Sequence, residues 1–132
     1  MYKIERVPYG IRLTFGGFIE NKEMERWVEE SLPVLATQTG GFGVFVDMRT
    51  LKPLPPDSKA TMEKGQRAYK EKGMVRSVVI LDSALVTVQF KRIAQESGIY
   101  QWERYVDAST HPEWEKIGVA WVRDGVDPDK AA

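Results

Sequence analysis

Three segments of this sequence end in the same way, with a short apolar run closed by an aspartate. They are Phe45-Val46-Asp47, Ile80-Leu81-Asp82 and Tyr105-Val106-Asp107. If each run is a strand of one parallel sheet, the three carboxylates lie at its carboxyl edge, where α/β proteins bind their ligands. Arg49, Ser58, Ser83 and Ser109 follow these strands and should lie near the same edge. Such residues could form an anion, phosphate or Mg²⁺ site.

The same residues also suit the capping of helices. Asp82, Ser83, Asp107 and Ser109 each stand where a helix would follow a strand, and aspartate and serine are preferred N-cap residues. This alternative fits Asp47 less well, because a loop of about ten residues precedes the next predicted helix. The sequence leaves both interpretations open.

Known catalytic patterns are missing from this sequence. There is no cysteine and only one histidine, so thiolate catalysis and cysteine or histidine-rich metal sites are excluded. No glycine-rich phosphate loop follows a strand, and no Gly-x-Ser-x-Gly elbow is present. We therefore expect no enzyme activity, no catalytic residue and no cofactor. A metal-dependent phosphotransfer enzyme that uses Asp47, Asp82 and Asp107 is kept as an alternative.

Composition indicates an ordinary globular domain. The 132 residues are 42% hydrophobic and 29% charged, and 19 basic residues balance 19 acidic ones. Zero net charge disfavours general binding to nucleic acid. No apolar run is long enough to span a bilayer, and the first residues lack the apolar core of a signal peptide. We expect a cytoplasmic location.

The order of predicted elements is β-β-α-β-α-β-α-β-α. Alternating strands and helices predict an α/β fold with a mainly parallel sheet flanked by helices, and the first two strands predict an antiparallel hairpin at one edge. One domain over residues 1–123 is expected, with a flexible C-terminal tail over 124–132. The helices are predicted to begin near Asn21, Asp57, Ser83 and a capping box of Thr110 and Glu113.

The third helix, Ser83 to Ser97, carries more apolar surface than one sheet contact requires. Its predicted buried stripe has helical spacing and comprises Val86, Phe90, Ile93, Ala94 and Ser97. Two further apolar residues fall off this stripe and stand near two basic ones: Leu85, Val88, Lys91 and Arg92. An apolar pair beside a basic pair suits a self-association face or a membrane-surface contact.

Several stretches together resemble the SpoIIAA-like family of STAS-type proteins. They are Gly43-Val44-Phe45-Val46-Asp47-Met48-Arg49, Arg76-Ser77-Val78-Val79-Ile80-Leu81-Asp82-Ser83, Gln89-Phe90-Lys91-Arg92-Ile93-Ala94, Glu103-Arg104-Tyr105 and Trp114. The resemblance extends from about residue 2 to residue 123. It implies a sheet flanked by helices that starts with two strands, like the fold of anti-sigma-factor antagonists and STAS domains.

This resemblance implies binding rather than catalysis. The expected ligand is a protein partner or a small apolar or lipid-like molecule, with a homodimer and a peripheral membrane contact also considered. The expected binding residues are Asp47, Arg49, Asp82, Ser83, Leu85, Val88, Lys91 and Arg92.

Anti-sigma-factor antagonists are phosphorylated on a serine in an Asp-Ser-Ser-Gly type motif. The matching stretch here is Asp57-Ser58-Lys59-Ala60, which lacks the second serine and the glycine. A phosphorylation switch at Ser58 is therefore an alternative function.

Overall fold

The computed structural model describes residues 1–130. The strands are β1 (Tyr2–Val7), β2 (Gly10–Gly17), β3 (Phe42–Leu51), β4 (Met74–Leu81) and β5 (Glu103–Asp107). The helices are α1 (Asn21–Ala36), α2 (Pro56–Glu71), α3 (Ala84–Ser97) and α4 (Trp114–Asp124), with a 3-10 helix at Ile99–Gln101. The predicted element order and α/β fold are confirmed.

The five strands form one mixed sheet in which neighbours in space are neighbours in sequence, β1-β2-β3-β4-β5. β1 and β2 pair antiparallel as a hairpin, and each later strand is parallel to the one before it. Every crossover from β2 onward steps in the same direction across the sheet. Because such crossovers are right-handed, α1, α2 and α3 lie on the same face.

Alternating side chains of the strands fill two separate cores. The larger core packs Leu13, Val44 and Val79 against Trp27 of α1 and Tyr69 of α2. The smaller core, on the opposite face, packs inner-strand residues against α4 alone; it contains Phe45, Val78, Ile80, Val106, Trp121 and Val122. The period of two along each strand thus divides the apolar residues between three helices on one face and one on the other.

The stretch beyond α4, which was predicted as a flexible tail, is hydrogen-bonded to the rest of the domain through Asp127 and Asp129. Gly125 adopts a left-handed conformation with φ of 72°, and the backbone N–H groups of Gly125 and Val126 donate to carbonyls of the last helical turn. This is an αL-type helix end, which turns the chain back toward β5. Residues 131 and 132 lie outside the described part.

Close packing of α2 on α1 depends on Gly65. A Cβ atom at this position would lie 2.3 Å from Cζ3 of Trp27, whose ring is fully buried and stacks on Tyr69. A ring held on both sides cannot move aside at low cost.

We expect Gly65→Ala to lower the free energy of unfolding by about 1–3 kcal/mol, despite the better helix propensity of alanine, because it overpacks this contact. Chemical denaturation followed by circular dichroism measures the change. Lys64→Ala, at the exposed neighbouring position, is the control and should change stability by less than about 0.5 kcal/mol. Equal stability of the two variants would contradict the packing argument.

Candidate functional site

The three aspartates that were predicted at strand ends lie on or directly after the adjacent strands β3, β4 and β5. Asp107 is the last residue of β5 and Asp82 follows β4 directly, but β3 continues to Leu51, so Asp47 does not end its strand as predicted. Asp47 and Asp107 are buried, whereas Asp82 is exposed. Their partners decide what this edge can do.

Asp47 is held by Arg49, two residues further along the chain. Its Oδ1 accepts hydrogen bonds from the backbone N–H and the Nε of Arg49, at 3.1 and 3.0 Å, and its Oδ2 accepts from Nη2 at 2.9 Å. The guanidinium lies 4.0 Å from the ring centre of Trp114 at the start of α4. Burial alone would raise the pKa of Asp47, but the hydrogen bonds and the charge of Arg49 outweigh burial and hold that pKa below its usual value. This clamp joins β3 to α4.

Asp107 organises the loop after β5. Its Oδ1 accepts from the backbone N–H of Ser109 at 2.9 Å and from the Ser109 hydroxyl, and its Oδ2 accepts from the Thr110 hydroxyl at 3.1 Å. The Ser109 hydroxyl bond is the largest of the effects that lower the pKa of Asp107. The predicted capping box is therefore wrong, because Thr110 is engaged by Asp107 and α4 begins after Glu113 without a side-chain cap.

Helix α3 is capped by Ser83 rather than by Asp82. The Ser83 hydroxyl accepts a hydrogen bond from the backbone N–H of Val86 at 3.2 Å. Asp82 is left exposed and forms no ion pair within the part of the chain that the structure describes. The capping interpretation thus applies to Ser83 but not to Asp82 or Asp107, since Asp107 organises a loop and α4 has no side-chain cap.

The described residues contain no group of three or more His, Asp or Glu side chains placed to hold a metal ion. Asp47, Asp82 and Asp107 do not converge, although they share an edge. Ser58, the candidate phosphorylation site, has no exposed surface, and its hydroxyl donates to the carbonyl of Ile19 at 3.0 Å. A kinase would reach this hydroxyl only after the start of α2 had opened.

The buried face of α3 differs from the predicted stripe. Thr87 and Ala94 are the buried residues of this helix, whereas Phe90 and Ile93 are 40% and 58% exposed. α3 packs on β5 and on the 3-10 helix at the margin of the sheet. One narrow face of α3 is enough to cover these two elements. The helix therefore carries a larger exposed apolar surface than the sequence suggested.

Leu85 and Val88 are 68% and 55% exposed, which confirms that they lie off the buried stripe. Arg92 is exposed and lies on the same side, since residues three and four apart share a face of a helix. Lys91 points elsewhere: its Nζ pairs with Oδ1 of Asp129 at 2.9 Å. The predicted basic pair is thus divided between two surfaces.

The sequence analysis missed a second cluster, on the β5 side of the sheet. Arg104 is buried in β5, and its guanidinium lies 3.8 Å from the ring centre of Tyr100 and 4.3 Å from that of Trp121. Its Nε and Nη2 donate to the two carboxylate oxygens of Asp127 at 2.9 and 3.1 Å. An arginine inside an apolar strand needs an acidic partner, and this was the available signal.

Two cavities flank these residues. A groove of about 430 Å³ lies between α3, α4 and the C-terminal stretch, and Lys91, Lys116, Ile117, Val126 and Asp127 are among its lining residues. A second cavity, which borders the larger core, measures about 30 Å³, room for about one water molecule. Of these two cavities, the groove has the size of a ligand site.

The chain matches no protein-family model, and no curated protein matches its sequence. None of the described helices combines the length and the apolar character needed to cross a bilayer.

We expect Arg49→Ala to lower the free energy of unfolding at pH 7 by about 1–2 kcal/mol, because it leaves the Asp47 carboxylate without its main donor. In the parent protein the lowered pKa of Asp47 adds stability that is present above its unfolded pKa of about 4 and is lost as the pH falls through the folded value. The variant should therefore lose less stability between about pH 5 and pH 2.

Urea unfolding at several pH values, followed by tryptophan fluorescence, measures both effects. Arg123→Ala is the matched control, since Arg123 and its partner Asp124 are both exposed. If the free energy of unfolding depends on pH in the same way in Arg49→Ala and in the parent protein, the proposed role of the Arg49–Asp47 contact is contradicted.

Proposed function

We propose that this chain is a non-enzymatic, STAS-like binding and regulatory domain, and that it acts through protein contacts of α3, beginning with self-association into a homodimer. The observation that carries the proposal is the exposed apolar surface of α3. Leu85, Val88 and Ile93 are each more than half exposed on a helix of 14 residues. Apolar groups concentrated in this way mark interaction surfaces.

The absence of enzyme activity is supported by the state of the carboxyl edge. The carboxylates of Asp47 and Asp107 are already engaged by hydrogen bonds from Arg49, Ser109 and Thr110. A general acid or base needs a lone pair or proton that faces a substrate. The edge is better suited to fastening loops and α4 to the sheet than to chemistry.

Charge favours a second copy of the chain as the occupant of this surface. Asp82 lies two residues before the start of α3, and Arg92 lies eight residues into this helix, which is about 12 Å along it. Both are exposed, and among the described residues neither takes part in an ion pair. Two α3 helices that cross antiparallel on a two-fold axis would place each Asp82 near the other copy's Arg92, with Leu85 and Val88 between them.

Other occupants have less support. An anionic membrane surface would require an excess of basic residues, but Arg92 is balanced by Asp82 and Glu96 and Lys91 is paired with Asp129. A small apolar or lipid-like ligand would need an apolar cavity, whereas the core cavity holds about one water and the larger groove has charged lining residues, Lys91, Lys116 and Asp127 among them. A protein surface that is itself apolar and carries charges of both signs fits the exposed face of α3 best.

We expect the double variant Leu85→Asp/Val88→Asp to be a folded monomer under conditions in which the parent protein is a dimer. Burial of the two side chains is worth about 3–6 kcal/mol per copy, so the dissociation constant should rise at least 100-fold. Sedimentation velocity between about 1 and 200 µM measures the association, with thermal unfolding as the test of folding. Leu32→Asp, at a residue that is 52% exposed on α1, is the matched control and should remain dimeric.

A charge exchange tests the antiparallel arrangement. Arg92→Asp alone should weaken the dimer, and the double variant Asp82→Arg/Arg92→Asp should restore it, because each ion pair then re-forms with reversed sign. A monomeric parent protein at 200 µM would overturn the proposal. Vesicle binding that is lost in Leu85→Asp/Val88→Asp would also overturn it, in favour of a membrane contact.

A further inference from the structure

The C-terminal stretch beyond α4 occupies a set of cationic and aromatic groups that is built like a binding site. We define residues 125–130 as the C-terminal segment. The αL-type turn at Gly125 directs the C-terminal segment back across β5, where its two aspartates meet Arg104, Lys91 and Tyr100. These contacts join four parts of the fold through side chains that the proposed dimer surface does not use.

Arg104 is the centre of this set. Its side chain is 9% exposed, and the guanidinium lies against the rings of Tyr100 and Trp121. Nη1 donates to the backbone carbonyls of Tyr100 and Glu103, which fixes the orientation of the fork. The remaining edge, Nε and Nη2, points at the Asp127 carboxylate in the two-bond geometry with which arginine recognises carboxylates.

A second carboxylate contact lies beside the first. Asp129 accepts a hydrogen bond from the Tyr100 hydroxyl and pairs with Nζ of Lys91 at 2.9 Å. Tyr100 therefore contacts both halves of the set, with its ring on Arg104 and its hydroxyl on Asp129. The arrangement receives two carboxylates two residues apart.

The bound piece of the C-terminal segment is a compact turn. The backbone N–H of Lys130 donates to the carbonyl of Asp127 at 3.2 Å, and the N–H of Asp129 donates to the Asp127 carboxylate at 2.9 Å. Pro128 stands at the second position of this turn, where proline is favoured. The turn presents both carboxylates to the protein and leaves the 430 Å³ groove open alongside.

We infer that Arg104, Lys91 and Tyr100 form a recognition site for an acidic turn of a partner protein, of the Asp-Pro-Asp type, and that the C-terminal segment occupies this site as an internal competitor. A partner would displace the C-terminal segment and extend into the adjacent groove, where Lys116 and Ile117 offer one further cation and an apolar wall. This site is separate from the exposed face of α3 and does not depend on self-association.

Competition between the C-terminal segment and an external ligand lowers the apparent affinity of that ligand. A tethered segment acts at an effective concentration in the millimolar range, so a free ligand binds only to the fraction of molecules in which the C-terminal segment is released. Release should therefore strengthen the binding of an external acidic turn. The orienting contacts of Arg104 with Tyr100 and Glu103 do not involve the C-terminal segment, so the site should persist after release.

The test uses the full chain with Asp127→Asn/Asp129→Asn and a capped hexapeptide, Gly-Val-Asp-Pro-Asp-Lys, as the probe. Calorimetry and the Nε–Hε signal of Arg104 in nitrogen-15 spectra measure binding. We expect the double variant to bind the peptide at least 10-fold more tightly than the parent protein.

A peptide with both aspartates replaced by asparagine should not bind, and Arg104→Lys in the double variant should abolish binding. Asp124→Asn is the matched control, because Asp124 is exposed and pairs only with its neighbour Arg123.

Three results would overturn the inference: no peptide binding to the folded double variant at millimolar concentration, equal affinity of the double variant and the parent protein, or equal binding of acetate or inorganic phosphate. If the double variant does not fold, an experiment on the parent protein provides the test. Excess peptide should shift the amide signals of Val126, Asp127, Asp129 and Lys130 toward those of a free chain and leave those of β1 and β2 unchanged. Unchanged signals of the C-terminal segment would reject the site.

Discussion

The agreement between strand order in the sheet and strand order in the chain is the constraint on which the rest of this structure depends. Because every parallel crossover steps the same way, three helices lie on one face and α4 must cover the other alone. α3 is the last of the three and lies over β5, the edge strand, so it has less to cover than α1 or α2. Part of the apolar surface of α3 therefore stays exposed at the margin of the sheet, and the proposed binding function rests on this surface.

The same topology explains why α4 makes side-chain contacts with the sheet at both of its ends. Among the described helices, α4 alone covers the smaller core. At its start, Trp114 lies under the guanidinium of Arg49, and near its end the Trp121 indole donates to the carbonyl of Ser77 and stacks on Arg104. Two strand residues with ligand-binding chemistry, Asp47 and Arg104, therefore also stabilise the fold. The surfaces proposed for binding are the exposed face of α3 and the Arg104 site that the C-terminal segment occupies.

Several charged residues near the candidate sites form internal ion pairs, and this is the main reason why the sequence did not reveal how these residues are arranged. Lys91 and Arg92 are adjacent in sequence, but a rotation of about 100° per residue directs one toward Asp129 and leaves the other beside Leu85. Asp127 and Asp129 belonged to a stretch with no apolar pattern, so nothing local marked them as partners of a strand residue. Pairs separated by 23 and 38 positions along the chain become visible only in three dimensions.

The sequence by itself determined the element order, the hairpin, the mainly parallel sheet and the strand-end positions of Asp82 and Asp107, because apolar periodicity and turn residues act over a few neighbouring positions. It also identified Leu85 and Val88 as apolar residues outside the buried stripe. Tertiary structure alone decided that Phe90 and Ile93 are exposed, that Ser83 rather than Asp82 caps α3, that Ser58 is buried against Ile19 and that Arg104 binds Asp127. Each of these outcomes depends on how much surface a neighbouring element covers, or on a partner far away in sequence, and local pattern carries neither quantity.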